Sequence, residues 1–214
     1  LHSVTDPRLP RLAVPSAYRL ELAPDLNAHT FTGTVEIDVE ILMPTSRLVL
    51  NSIELTIHSA SVVTNGTTHT AATTLDDETE RLTLTLDGEV AAGLATVQVT
   101  FDGILNDQLH GFYRSTYTAD DGAEHTIATT QFQSTDARRC FPCWDEPEYK
   151  ATFETTLIVD ADHLAVTNTS EVAETTLDDG RRRIQYAPTM VMSTYLVAFV
   201  VGPLEATEPI YACL

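Results

Sequence analysis

The chain has 214 residues, 43% of them hydrophobic, enough for a sizeable core, and all-β sandwiches reach this length as one domain. Its 31 acidic against 12 basic residues give a net charge of −19, which argues against nucleic-acid and anionic-membrane partners, since both need basic patches. No apolar run approaches the ~18 residues of a membrane span, no secretion signal opens the sequence, and three cysteines make no disulfide scaffold, so a reduced, cytoplasmic protein is expected.

In chain order, residues 1–17 carry Pro7, Pro10 and Pro15 and read as an extended lead-in. Strand begins at Tyr18, with Leu20 and Leu22 on the same face. After a turn at 24–27, Val35, Ile37, Val39 and Ile41 alternate with Thr34, Glu36, Asp38 and Glu40, the mark of a half-buried strand. Residues 44–47 break it, and strands are expected again over 48–50 and 53–57. Leu82, Leu84 and Leu86, then Val97, Val99 and Phe101, keep strict period two. Asn65-Gly66 is a two-residue hairpin signal, and Asp87-Gly88, Asp102-Gly103, Asp121-Gly122 and Asp179-Gly180 read as further turns. Strands at 153–159, 184–186 and 195–201 complete the set; the last is apolar on both faces and is expected between packed layers.

No window keeps a 3.6-residue apolar period, so the predicted fold is all-β: a twisted, mostly antiparallel β-sandwich in a single domain over 1–205. Residues 206–214 lose alternation and read as a linker or cut end. Arg181–Arg183 reads as a solvated hairpin tip. Asn65-Gly66-Thr67 and Asn168-Thr169-Ser170 fit the glycosylation pattern and are taken as chance matches.

At 130–147 the alternation stops. TQFQSTDARRCFPCWDEP holds the only Trp, two of the three Cys, and Pro142 and Pro147. It reads as an ordered irregular connection with a helical turn near 135–139, capped by Ser134 or Thr135. Cys140-Phe141-Pro142-Cys143 invites a redox or zinc reading. The βαβ context of a redox pair is lacking, however, and Cys213 is the only other thiol, so buried structural thiols beside Trp144 are preferred. Arg138, Arg139, Asp145 and Glu146 read as an internal ion-pair network that pins the loop.

TQFQSTDARRCFPCWDEPEYKATF resembles the signature of the N-terminal domain of zinc aminopeptidases of the aminopeptidase N and puromycin-sensitive aminopeptidase family. Residues 9–41, 110–117 and 192–205 resemble other parts of that domain in the same order. The resemblance implies a saddle-like domain that contributes to the substrate cleft of a metallopeptidase releasing N-terminal residues from peptides. It places Gln131 at the pocket for the first side chain and Gln133 at the substrate's α-amino group, where the family usually has Glu. It also implies zinc and a catalytic domain in the same parent polypeptide, with the peptide N-terminus as substrate.

The 214 residues hold no His-Glu-x-x-His and no Gly-x-Met-Glu-Asn, so no catalytic or metal residue is assigned here and the chain alone is expected to be inactive. The alternative is a free-standing β-sandwich binding module without peptidase activity; a small redox or metal protein built on the C-x-x-C is a third reading.

Overall fold

The computed structural model describes residues 8–120 and 122–207. Within these residues fourteen strands form two sheets, and the helical content is confined to two short 3-10 turns, Ala137–Arg139 and Thr194–Leu196. The larger sheet is built on three long strands, β1 (Ala13–Asp25), β2 (Thr30–Ile41) and β7 (Gly93–Ile104). Its order is completed by β3 (Thr45–Asn51), β4 (Leu55–Thr64), β5 (Thr67–Asp76), β6 (Arg81–Val90), β10 (Thr152–Val159), β12 (Glu171–Thr176) and β13 (Arg182–Tyr186). They run β12-β13-β10-β1-β2-β7-β4-β5-β6-β3. The smaller sheet, ordered β11-β14-β9-β8, contains β8 (Gly111–Thr118), β9 (Glu124–Gln131), β11 (Leu164–Thr167) and β14 (Phe199–Gly202). Every pairing between these strands is antiparallel except β1 with β10.

The expected alternation is what buries the core. Tyr18, Leu20 and Leu22 of β1 face inward with Val35, Ile37 and Val39 of β2 and Val97, Val99 and Phe101 of β7. The polar residues between them form the outer face, where Arg19 bonds Glu36 and Asp38, and Arg183 bonds Glu21. β5 pairs with β4 through its first half and with β6 through its second, so the large sheet changes partner there and turns a corner.

Seven aromatic rings then tie one sheet to the other. Phe153 stacks on Tyr18 at 4.8 Å, Tyr18 meets Phe141, Phe141 meets Phe132, and Phe132 meets Phe199. Phe199 meets Phe112 at 4.9 Å, and Phe112 returns to Phe31 of β2. Offset and edge-on contacts of this kind add to the area each ring buries.

Several expectations need correction. Asp102-Gly103 is no turn: Gly103 lies inside β7 opposite Phe31, and a Cβ there would stand 2.2 Å from Phe31 Cζ. Gly33 makes the reciprocal pair with Phe101, so each ring lies over the partner strand's bare backbone. Asp87-Gly88 also sits within a strand, beside a register shift between β3 and β6; its Asp-Gly marks a bulge. The run at 195–201 is not one strand. Its first part is a 3-10 turn with Leu196 exposed, and only β14 enters the small sheet, between β11 and β9. The break at 44–47 is shorter than expected, because β3 already starts at Thr45. Asn65-Gly66 does close the β4–β5 hairpin, with both residues at positive φ. Of Asp121-Gly122, Asp121 lies outside the described residues, as do 208–214 and with them most of the expected linker.

Candidate functional site

Residues 130–147 begin as the end of β9 and then cross between the two sheets. Phe132 is the pivot: its ring is buried between Phe141 and Phe199. Its neighbours in sequence, Gln131 and Gln133, are both exposed. Residues two apart in an extended segment point the same way, so one buried ring presents two amides to solvent. Gln131 Nε2 lies 3.5 Å from the Gln133 carbonyl oxygen, and the Gln133–Ser134 peptide is cis. Opposite Gln131 stands Gly111, at φ 67, where a Cβ would meet the Arg139 stem at 2.8 Å. The glycine lets the arginine pass and leaves no side chain across from Gln131.

The chain turns back at Asp136, whose amide donates to the Phe132 carbonyl at 3.0 Å. The single turn Ala137–Arg139 comes next. Its N-cap is Asp136, without a side-chain capping bond, and not Ser134 or Thr135, both of which are exposed. The Asp136 carboxylate instead accepts from Arg139 Nε at 2.8 Å.

Two arginines fix this turn. Arg138 is buried; its Nε donates to Asp145 Oδ2 at 3.0 Å and its Nη1 to Glu80 Oε2 at 2.8 Å. Asp145 is buried as well. It also accepts from Thr194 Oγ1 at 2.6 Å, and its amide donates to Asn51 Oδ1. Arg139 reaches Glu54 as well as Asp136. Glu146 stands apart from this network, accepting from the Leu9 amide at 2.6 Å and lying near Arg8. The expected ion-pair cluster is therefore real for three of its four members, and it extends to Glu54 and Glu80. Nothing near Arg138 in sequence announces those two, because they belong to turns more than fifty residues upstream.

Cys140 and Cys143 are buried, unpaired thiols. Burial pushes both well above the ordinary thiol range, and the Asp145 carboxylate adds to the effect at Cys143. Cys143 and Asn51 exchange backbone bonds of 2.7 and 3.1 Å, and the Trp144 amide donates to Tyr18 Oη at 3.1 Å. The C-x-x-C is thus a hinge of core and backbone contacts; Cys213 lies outside the described residues.

The other motifs are absorbed locally. Arg181 pairs with Asp179 and Arg182 with Glu174 at the β12–β13 hairpin. The Asn168 side chain is engaged at both ends, donating to the Leu196 carbonyl and accepting from the Ala198 amide. Among the described residues, no three His, Cys, Asp or Glu side chains are grouped to hold a metal ion. No helix there is long and apolar enough to cross a membrane.

The fold is an all-β two-sheet domain, carrying a pinned irregular segment that exposes two glutamines. Residues 14–196 match the Peptidase M1 N-terminal domain, and the chain belongs to that family. It is 43% identical over 208 residues to Aminopeptidase M1 of Arabidopsis thaliana, covering 95% of this chain and 23% of that relative. To the Puromycin-sensitive aminopeptidase of Caenorhabditis elegans it is 41% identical over 201 residues, covering 92% of this chain and 21% of that relative. To the Aminopeptidase N of Acetobacter pasteurianus it is 34% identical, covering 94% of this chain and 56% of that relative. The chain thus spans only part of the length of each curated relative.

Proposed function

We propose that this chain is the substrate-cleft-contributing N-terminal domain of a zinc-dependent aminopeptidase that releases N-terminal residues from peptides. The observation that carries the reading is the exposed pair Gln131 and Gln133, held out on either side of the buried Phe132. The Gln133 amide oxygen accepts a bond from the substrate's α-ammonium group, and the Gln131 amide borders the first side chain. A carboxylate at position 133 would bind the ammonium more strongly through a charge-assisted bond. The network around Arg138 and Asp145 keeps the segment in place.

Among the described residues no group of His, Cys, Asp or Glu side chains is arranged to hold a zinc ion. Zinc and the water it activates belong to a catalytic domain of the same polypeptide, in keeping with relatives longer than this chain. On this reading the domain takes in residues 1–205, and 206–214 are a linker or cut end. A cytoplasmic location is part of the proposal, supported by the two unpaired buried thiols.

The test is the intact gene product. It should contain a zinc-binding His-Glu-x-x-His segment, hold about one zinc per chain and cleave unblocked peptides one residue at a time from the N-terminus. A gene product without that segment, binding peptides without cleaving them, would support the free-standing module instead.

A further inference from the structure

We propose that the hollow between residues 8–12 and the β3–β6 ribbon binds a small organic anion, a phosphate or carboxylate joined to a compact apolar body. β3 and β6 pair Arg47 with Thr85, Val49 with Thr83 and Asn51 with Arg81. Leu48, Leu50, Leu82 and Leu84 turn one face of this ribbon into the core, and none of them is exposed. Alternation therefore puts Arg47, Val49, Arg81 and Thr83 on the other face. The segment 8–12 runs beside that face. Arg81 Nη2 donates to the Arg8 carbonyl at 2.9 Å, and the Leu42 amide donates to the Leu12 carbonyl at 2.8 Å.

The hollow left between them measures about 500 Å³, within the range of small-molecule sites. Pro10, Leu12 and Val49 supply its apolar lining, and Arg47, Arg81 and Thr83 its polar lining. The β5–β6 turn adds Asp76 and Thr79.

Two guanidiniums share this hollow in a chain whose net charge is −19. Elsewhere Arg19, Arg114, Arg138, Arg181 and Arg183 each hold a carboxylate within 3.0 Å. Arg47 holds none among the described residues. Its Nη2 donates instead to Thr83 Oγ1 at 3.2 Å, which brings the charge to the Val49–Thr83 row. The Thr83 hydroxyl accepts that bond and keeps its own proton to donate. The carboxylate in the lining, Asp76, is engaged by its own turn: it accepts from the Glu78 and Thr79 amides and from Thr79 Oγ1 at 2.8 Å. A guanidinium and a hydroxyl recognise a phosphate or carboxylate through charge-assisted bonds, and the apolar lining covers the attached carbon skeleton. The acidic remainder of the chain repels anions, so this local positive charge is where one is retained.

The test is ligand-observed phosphorus NMR on the full gene product, with a chelator present to exclude metal-bound phosphate. The phenyl phosphate line should broaden on adding the protein, and benzoate should reverse the broadening. Inorganic phosphate should compete at least about tenfold more weakly, and neutral benzamide not at all. Arg47→Ala should weaken binding at least about tenfold and Arg47→Lys less, with thermal unfolding unchanged because Arg47 is exposed. Broadening that survives Arg47→Ala would place the ligand elsewhere and overturn the inference. Equal competition by inorganic phosphate would leave an adventitious ion only, and no broadening at millimolar phenyl phosphate would leave no site; each overturns it as well.

Discussion

Replacing Asp145 by Ala removes the hub of the segment. Its side chain is 1% exposed and accepts from Arg138 and Thr194. Truncation leaves the Arg138 guanidinium, 11% exposed, without its more deeply buried anion, and breaking such a buried pair typically costs about 3–5 kcal/mol. Glu80 still holds Nη1 at 2.8 Å, which puts the expected loss at the lower end, about 3 kcal/mol. For a domain of this size that is a fall in Tm of roughly 6–12 °C. Urea and thermal unfolding followed by fluorescence suit the measurement, because Trp144, the only tryptophan, is buried next to Asp145. Glu146→Ala is the comparison: it loses the Leu9 amide bond and a distant contact with Arg8, and should cost about 1 kcal/mol. A loss below about 1 kcal/mol for Asp145→Ala, or equal losses for the two variants, would refute the reasoning.

The same geometry sets other outcomes. Gly103→Ala should destabilise by about 1–3 kcal/mol through the collision with Phe31, and the double change with Phe31→Leu should recover part of it in a denaturant series. In a Cys213→Ser background, Cys140 and Cys143 should resist a thiol reagent in the native protein and react at once when unfolded; rapid native modification would restore the redox reading. Burial raises both thiols, so the stability they contribute is complete below the unfolded thiol range and is lost as pH rises past it; alkaline titration should show a decline starting near pH 9. The Asp38 carboxyl is lowered by its bond to Arg19, so its contribution is present above about pH 4 and is lost as pH falls through the native value. Because that pair is partly exposed, Asp38→Asn should flatten the acid limb only slightly.

Much of the fold was legible because burial and alternation coincide. Tyr18, Leu20, Leu22, Val35, Ile37 and Val39 announce their strands and their inward face from sequence alone. Strands without that contrast were missed. β12 is exposed along its whole length, β5 is mostly Thr and Ala, and β11 is four residues long. What they share is pairing to a neighbour, which a local pattern does not encode. Gly103 misled for a related reason: a glycine required by a ring on the next strand looks the same in sequence as one required by a turn. At the candidate site, Gln131 and Gln133 were singled out by resemblance, and the exposure of both around Phe132 became visible only in three dimensions. Glu54, Glu80, Asn51 and Thr194, which hold the segment, stand far from it in the chain, and their neighbouring residues carry no signal of the role.

The central claim is that Gln133 meets the free amine of a peptide substrate, and the intact gene product tests it with paired substrates. Gln133→Glu and Gln133→Ala should be assayed on peptides that differ only in N-acetylation, as inhibitors and as substrates. A carboxylate adds charge to a bond the amide already makes, so Gln133→Glu should tighten binding of the free-amine peptide by about 1 kcal/mol, roughly fivefold, and leave the acetylated one unchanged. Gln133→Ala should raise KM for the free-amine peptide with the same selectivity. Equal effects on free and acetylated peptides would contradict the claim and reduce Gln133 to a residue of loop stability.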